Sequence, residues 1–267
     1  MSAASKPEAA VAATAPSARV ITIVAVLLTF ASGASDVAAF TRLGSVFTSV
    51  MTGNMTMFGL SLARQSVSLG AHTATAVAGY IVGVAAGTLL GRHRHRHRHR
   101  HRTERASGAA PGKPASERPP GGDWPPRLTL TLATELVLLA GVLIGWELTG
   151  SHPAGGAQYV LLATAACAMG IQSAAVGRMG LGNVATTYLT GTLTGLVSAI
   201  VRPESEVGVR RPAILAGLVA GAVLSGLLLA AAGWAVPCLP ILGVTAAVFF
   251  GATRGTPGPP TRPSSTA

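Results

Sequence analysis

The sequence predicts an all-α, polytopic transmembrane bundle of six to eight segments, built from two internal repeats with a Thr-Gly motif in each. Three observations carry that expectation. The 267 residues are 49% hydrophobic, with a mean hydropathy of +0.50 and only 11% charged residues, whereas a soluble domain carries about 25%. Apolar segments near 20 residues long recur along the chain, the length that crosses a bilayer as helix. None of them alternates polar and apolar residues with period two, which excludes strands and barrels.

Residues 1–18 are rich in Ala, Ser and Pro and read as a disordered tail. The first apolar segment runs from Arg19 to Phe40, and further segments cover about 43–63, 71–91, 128–149, 157–177, 181–201, 212–234 and 236–252. Between them lies a hydrophilic stretch, 92–127, which opens on alternating His and Arg and continues rich in Gly and Pro. It reads as a disordered basic loop, and 253–267 as a disordered C-terminal tail. The organisation is therefore one membrane domain, 19–252, with repeat one over about 19–91 and repeat two over about 157–234.

The repeat rests on two matches. Ser35-Asp36-Val37-Ala38-Ala39-Phe40-Thr41-Arg42-Leu43-Gly44 aligns with Ile171 through Gly180, and Thr52-Gly53-Asn54-Met55-Thr56 with Thr190-Gly191-Thr192-Leu193-Thr194. Small residues follow each motif at four-residue spacing: Gly79, Gly83, Gly87 and Gly91 in the first, Ala213, Gly217, Gly221 and Ser225 in the second. Such a stripe lets a second backbone approach closely, within the chain or in a homo-oligomer. The repeat also argues against a cleaved signal at Ser32-Gly33-Ala34, because that region has a counterpart deep in the chain.

Two topologies compete. Eight crossings give two parallel halves; six crossings, with the two Thr-Gly segments dipping in and returning, give halves of opposite orientation. With six crossings and the N-terminus inside, only Arg42 and Arg64 of the 20 Lys and Arg fall outside, as the inside preference of basic loops demands. Segment length favours eight, charge placement six. In the six-crossing arrangement the ten Lys and Arg of 92–127 lie on the cytoplasmic side. A single cysteine at Ser107 is then expected to resist a membrane-impermeant reagent in intact cells, and labelling there would reverse the orientation.

Net charge of +11 does not indicate nucleic acid, since the basic residues flank apolar segments or cluster at Arg92–Arg102. Their expected partners are the bilayer and, for the basic loop, anionic lipid headgroups. His93, His95, His97, His99 and His101 are metal-ligand types, but each stands between fixed Arg charges, so no metal site is expected. Cys167 and Cys238 lie in apolar segments and suggest neither a disulfide nor zinc. No nucleophile–base pair, Walker loop or cofactor motif is visible, so neither an enzyme nor a cofactor is expected.

The candidate substrate-binding residues are polar groups inside apolar segments. Thr52, Gly53 and Asn54, with Thr190, Gly191 and Thr192, sit mid-segment. Gly weakens a helix interior by about 1 kcal/mol, and interruptions at matching points of two repeats mark transporter sites. A simple packing contact would use the same residues. Asp36 and Glu135 complete the set. An ionised carboxylate in a membrane helix costs about 2.5–3.5 kcal/mol on insertion scales and needs a partner, water or a proton. Arg42 or Arg178 could pair with Asp36; interfacial placement is the alternative for both acids. Trp146, Tyr159 and Trp234 stand at segment ends, where anchors belong.

Together, SGASDVAAFTRLGSVFTSVMTGNMTMFGLSLA and MGIQSAAVGRMGLGNVATTYLTGTLTGL resemble the YoaK-like bacterial multi-pass membrane family, a domain of unknown function, over about residues 19–252. The family's Asp falls on Asp36, its Thr-Gly-Asn on Thr52, Gly53 and Asn54, and its Thr-Gly-Thr on Thr190, Gly191 and Thr192. The resemblance implies the inner membrane and supplies no substrate; the His-Arg insert departs from the family pattern. The function expected is a secondary transporter or channel for a small solute, the alternative a non-transporting scaffold or regulatory subunit.

Overall fold

A computed structural model describes residues 18–91, 124, 126–179, 189–201 and 209–254. Among them are helices and turns, and no strand. The helices are α1 (Ala18–Arg42), α2 (Met51–Ala63), α3 (Val67–Leu90), α4 (Pro126–Leu148), α5 (Gly155–Arg178), α6 (Leu189–Val201), α7 (Arg210–Ala231) and α8 (Cys238–Arg254), with a 3-10 turn, Gly233–Ala235, before the last.

Length separates two kinds of helix. α2 and α6 have 13 residues each; at 1.5 Å rise they reach about 20 Å, short of a hydrocarbon core of about 30 Å. Six others are long and apolar enough to cross: Arg19–Arg42, Val67–Leu90, Pro126–Leu148, Gly155–Arg178, Arg210–Ala231 and Gly233–Thr253. Among the described residues, helix length therefore sides with charge placement, and neither α2 nor α6 is long enough for a full crossing. The order long, short, long, long runs from α1 to α4 and again from α5 to α8.

The small-residue stripes are filled by helices of the same chain. A Cβ on Gly79 would meet the backbone of Ala163, on Gly83 that of Cys167, and on Gly87 that of Ile171, so α3 lies directly on α5. Gly217 and Gly221 meet Val26 and Phe30 in the same way, and Ser225 donates to the Ala34 carbonyl at 3.0 Å, so α7 lies on α1. At these positions the stripes pack within the chain. Glycine removes the side-chain layer and brings the backbones into van der Waals range, the main source of attraction where lipid is as apolar as the helices.

α1 and α5 form the centre. Leu28, Ala31, Ala168 and Met169 pack with Leu132 and Leu139 of α4 and Val244 of α8. Trp124 belongs to this core, covering Gly251 and donating to Thr129 Oγ1 at 2.8 Å. The folded body thus begins before residue 128: α4 starts at Pro126, a favoured first-turn residue because its missing N–H is not needed there. The His-Arg tract and both expected tails lie outside the described residues, apart from Ala18 at one end and Thr253 and Arg254, which continue α8, at the other.

Candidate functional site

Asp36, near the end of α1, is buried and bound by the segment that leads into α2. Its Oδ1 accepts from Thr48 N at 2.8 Å, Thr48 Oγ1 at 2.9 Å and Ser49 N at 2.8 Å; Oδ2 accepts from Ser49 Oγ at 2.6 Å. Four donors and no acceptor suit a carboxylate, and its position before the first turn of α2 suits the positive end of a helix dipole. Asn54, also buried, grips the same segment from the other side. It accepts from Phe47 N at 2.9 Å and donates to Phe47 O at 2.6 Å. Two of the expected site residues are thus brought together through Phe47–Ser49. Neither Arg42 nor Arg178 is the partner: Arg178 reaches across to the Gly87 carbonyl.

The remaining motif residues are placed differently. Thr52, Gly53 and Asn54 fall in the first turn of α2, and Thr190, Gly191 and Thr192 in the first turn of α6, both regular helices. The interruption expected inside the 43–63 segment lies ahead of its motif, in the non-helical residues that Asp36 holds. Thr52 and Thr190 are exposed, Thr192 buried. A Cβ on Gly53 would meet only Phe47 and Val50 of its own segment, and one on Gly191 nothing within 4 Å. α2 packs on α3, and α6 on α7, where Arg211 donates to the Gly195 carbonyl at 2.7 Å. Among the described residues, neither glycine serves a helix crossing.

Glu135 faces the centre of the bundle. The buried positions of α4 are Leu128, Thr131, Leu132, Glu135, Leu139, Val142 and Trp146, the three- and four-residue spacing of one helix face. Glu135 is 0% exposed, and neither carboxyl oxygen has a hydrogen-bond partner among the described residues. One turn away, Leu139 lines an apolar cavity between α1, α4, α5 and α8, with Ser35, Ala38, Trp146, Ala165 and Pro240.

Three polar residues carried no expectation yet bond from helix to helix. His72 of α3 is buried, with Nδ1 2.7 Å from Ser68 O and Nε2 2.9 Å from Gln158 Oε1, stacked on Tyr159. Gln158 donates in turn to Arg42 O at 2.7 Å, tying the end of α1 to α3 and α5. Gly44, at φ +97°, passes directly over the His72 ring, where any Cβ would collide. Gln172 of α5 is 0% exposed and donates to Leu28 O at 3.0 Å and Ser32 Oγ at 2.9 Å. The signal for all three was available: a polar side chain within an apolar segment, the criterion that picked out Glu135.

Six crossing-length helices around a buried carboxyl define a multi-pass helical membrane protein. The chain belongs to the family described as "Protein of unknown function (DUF1275)", which matches residues 24–251. It is 29% identical over 174 residues to the "UPF0700 transmembrane protein YoaK" of Bacillus subtilis (strain 168), an overlap of 65% of this chain. That overlap covers 64% of the relative's own length. No solved structure gives a significant match.

Proposed function

We propose that the chain is a secondary transporter or channel for a small solute rather than an enzyme, and that Glu135 does its ion chemistry. The observation that carries this is a fully buried carboxyl with no hydrogen-bond partner on the inward face of a crossing-length helix. Lining that position with Leu would cost nothing and save several kcal/mol. A group so costly is kept where it acts. An apolar cavity lies one helical turn away, at Leu139.

A helical bundle belongs to the bacterial inner (plasma) membrane, since outer membranes take barrels. There the basic stretch would lie against anionic headgroups. Motif residues Thr52, Gly53, Thr190, Gly191 and Thr192 remain candidates for solute contact at α2 and α6, apart from Glu135.

The purified chain in proteoliposomes is expected to take up at least one solute from a small-molecule panel, with a rate that depends on a pH gradient. Glu135→Gln is expected to cut that rate at least tenfold while thermal unfolding in detergent stays at or above wild type. A panel with no uptake, or a variant that transports normally, would sink the reading. A scaffold or regulatory subunit is the second reading. It is favoured by Asp36 and Asn54, whose polar atoms are spent on a loop, and by the tight pairing of α3 with α5 and α7 with α1.

A further inference from the structure

Helix register places a second fully buried polar side chain, Gln172, near the depth of Glu135. α4 and α5 run antiparallel across the turn at 149–154, with Gly145 packed against Leu161. Ten residues back along α4 stands Glu135; eleven forward along α5 stands Gln172. Leu28 and Ser32, to which Gln172 donates, flank the midpoint of α1.

The orientation of that amide is fixed chemically. The Leu28 carbonyl has no hydrogen to give, so the nitrogen must face it and the oxygen must face away. Gln172 Oε1 is buried and has no hydrogen-bond partner among the described residues, as is true of both oxygens of Glu135. By helix register, the three acceptors, unclaimed among the described residues, fall near one level of the bundle, between α1, α4 and α5. Acceptors cannot satisfy one another. What they lack is a hydrogen.

We propose that Glu135 and Gln172 form a proton-binding pair at mid-depth, in which the protonated Glu135 carboxyl donates to Gln172 Oε1. The inference rests on the transport reading of Glu135 and goes further: it names the ligand as a proton and gives Gln172 a positioning role. In loading, a hydronium gives its proton to a Glu135 oxygen and departs as water. Release reverses the same step. Because Gln172 nitrogen is tied to Leu28 and Ser32, a hydrogen bond formed at its oxygen links α4 to α1 through α5. Proton occupancy is thereby felt by the central helix.

A metal cation fits less well, since its shell of oxygens must be replaced by the site.

Charged and titratable groups on the surrounding elements are engaged elsewhere or stand at other depths. On α1, Asp36 is held by Thr48 and Ser49, while Arg19 and Arg42 stand at its two ends. On α5, Arg178 bonds Gly87 O, Cys167 lies against Gly83, and Tyr159 stacks on His72 of α3. Tyr80 of α3 packs against the apolar core, and Cys238 and Arg254 are the terminal residues of α8.

Infrared difference spectroscopy on the full chain in vesicles of phosphatidylethanolamine and phosphatidylglycerol, stepped in pH, tests the pair. Acidification is expected to raise a carboxylic-acid carbonyl band that shifts in D2O and is missing in Glu135→Gln. In Gln172→Leu, and in Gln172→Met should the first fail to assemble, that band is expected at higher frequency because its hydrogen bond is gone. The proposal is overturned by any of three results: no acid band in wild type, a band that survives Glu135→Gln, or a band unmoved by the Gln172 substitutions. Loss of the band on adding sodium at fixed acidic pH would assign the site to a metal cation and also overturn it. Wild type and Glu135→Gln decide the carboxyl's part by themselves. Uptake is not the readout, so an intact band without any solute uptake would remove the transport reading alone.

Discussion

Asp36→Ala is expected to destabilise the chain by about 3–5 kcal/mol, the range for removing one partner from a buried charged network. The carboxylate takes four donors from Thr48 and Ser49, two of them backbone N–H groups that no side chain rotation can redirect. Alanine leaves both buried with no acceptor, and each such orphan costs about 1–3 kcal/mol. Asp36→Asn keeps one oxygen in place, and its amide can donate to the Ser49 hydroxyl, so a loss of about 1 kcal/mol is expected. Thermal unfolding in detergent ranks the two. Hydrogen exchange locates the damage, since amides of 47–54 are expected to lose protection first. Equal stability of Asp36→Ala and wild type would show that the clamp does not hold α2 in place.

That role for Asp36 was not legible in the sequence, and the reason is physical. Its four donors come from residues 12 and 13 positions further on, inside a segment whose apolar run reads as helix from 43 to 63. Thr48 and Ser49 just ahead of Met51 were the available sign, being residues that favour helix starts over helix interiors. By contrast, the long helices were visible because nothing but lipid-facing helix explains repeated apolar runs near 20 residues. The inward placement of Glu135 was visible for the same reason: hydrocarbon does not tolerate a carboxyl on its own side. Polar residues that cost less to bury, His72, Gln158 and Gln172, gave a weaker signal. Each is paired across helices, and pairing is a property of the fold that no single segment shows.

The glycine stripes lie between these cases. Four-residue spacing fixes the face a helix offers but not the helix that fills it. α3 is filled by α5, and α7 by α1. In each pair a segment assigned to one half of the sequence meets a segment assigned to the other, so the halves interlock and could not have been separated into two independent bundles.

Gly83→Leu is the sharpest test of that interlocking. A Cβ there would fall onto the backbone of Cys167, 2.8 Å from its carbonyl carbon and 2.9 Å from its Cα. Across the same crossing, a Cβ on Gly170 would sit 2.8 Å from Val84 N and 3.0 Å from Gly83 Cα. Both surfaces are already bare backbone, and neither has a flexible side chain to move aside. The helices must part, α5 must leave the centre, and the expected loss is about 3 kcal/mol or more, at the upper end for overpacking. Gly221→Leu is expected to match it, since its Cβ would lie 2.9 Å from the carbonyl carbon of Phe30 and 3.1 Å from its Cα. Gly59→Leu is the control: nothing lies within 4 Å of its position, so an effect within about 0.5 kcal/mol is expected. Folded protein recovered by size exclusion, with thermal unfolding of whatever is recovered, reads all three. Wild-type recovery of Gly83→Leu would mean that α3 and α5 are not in backbone contact. Because lipid offers these helices no hydrophobic reason to associate, closeness of approach is what holds them, and a single isobutyl group at the crossing is enough to remove it.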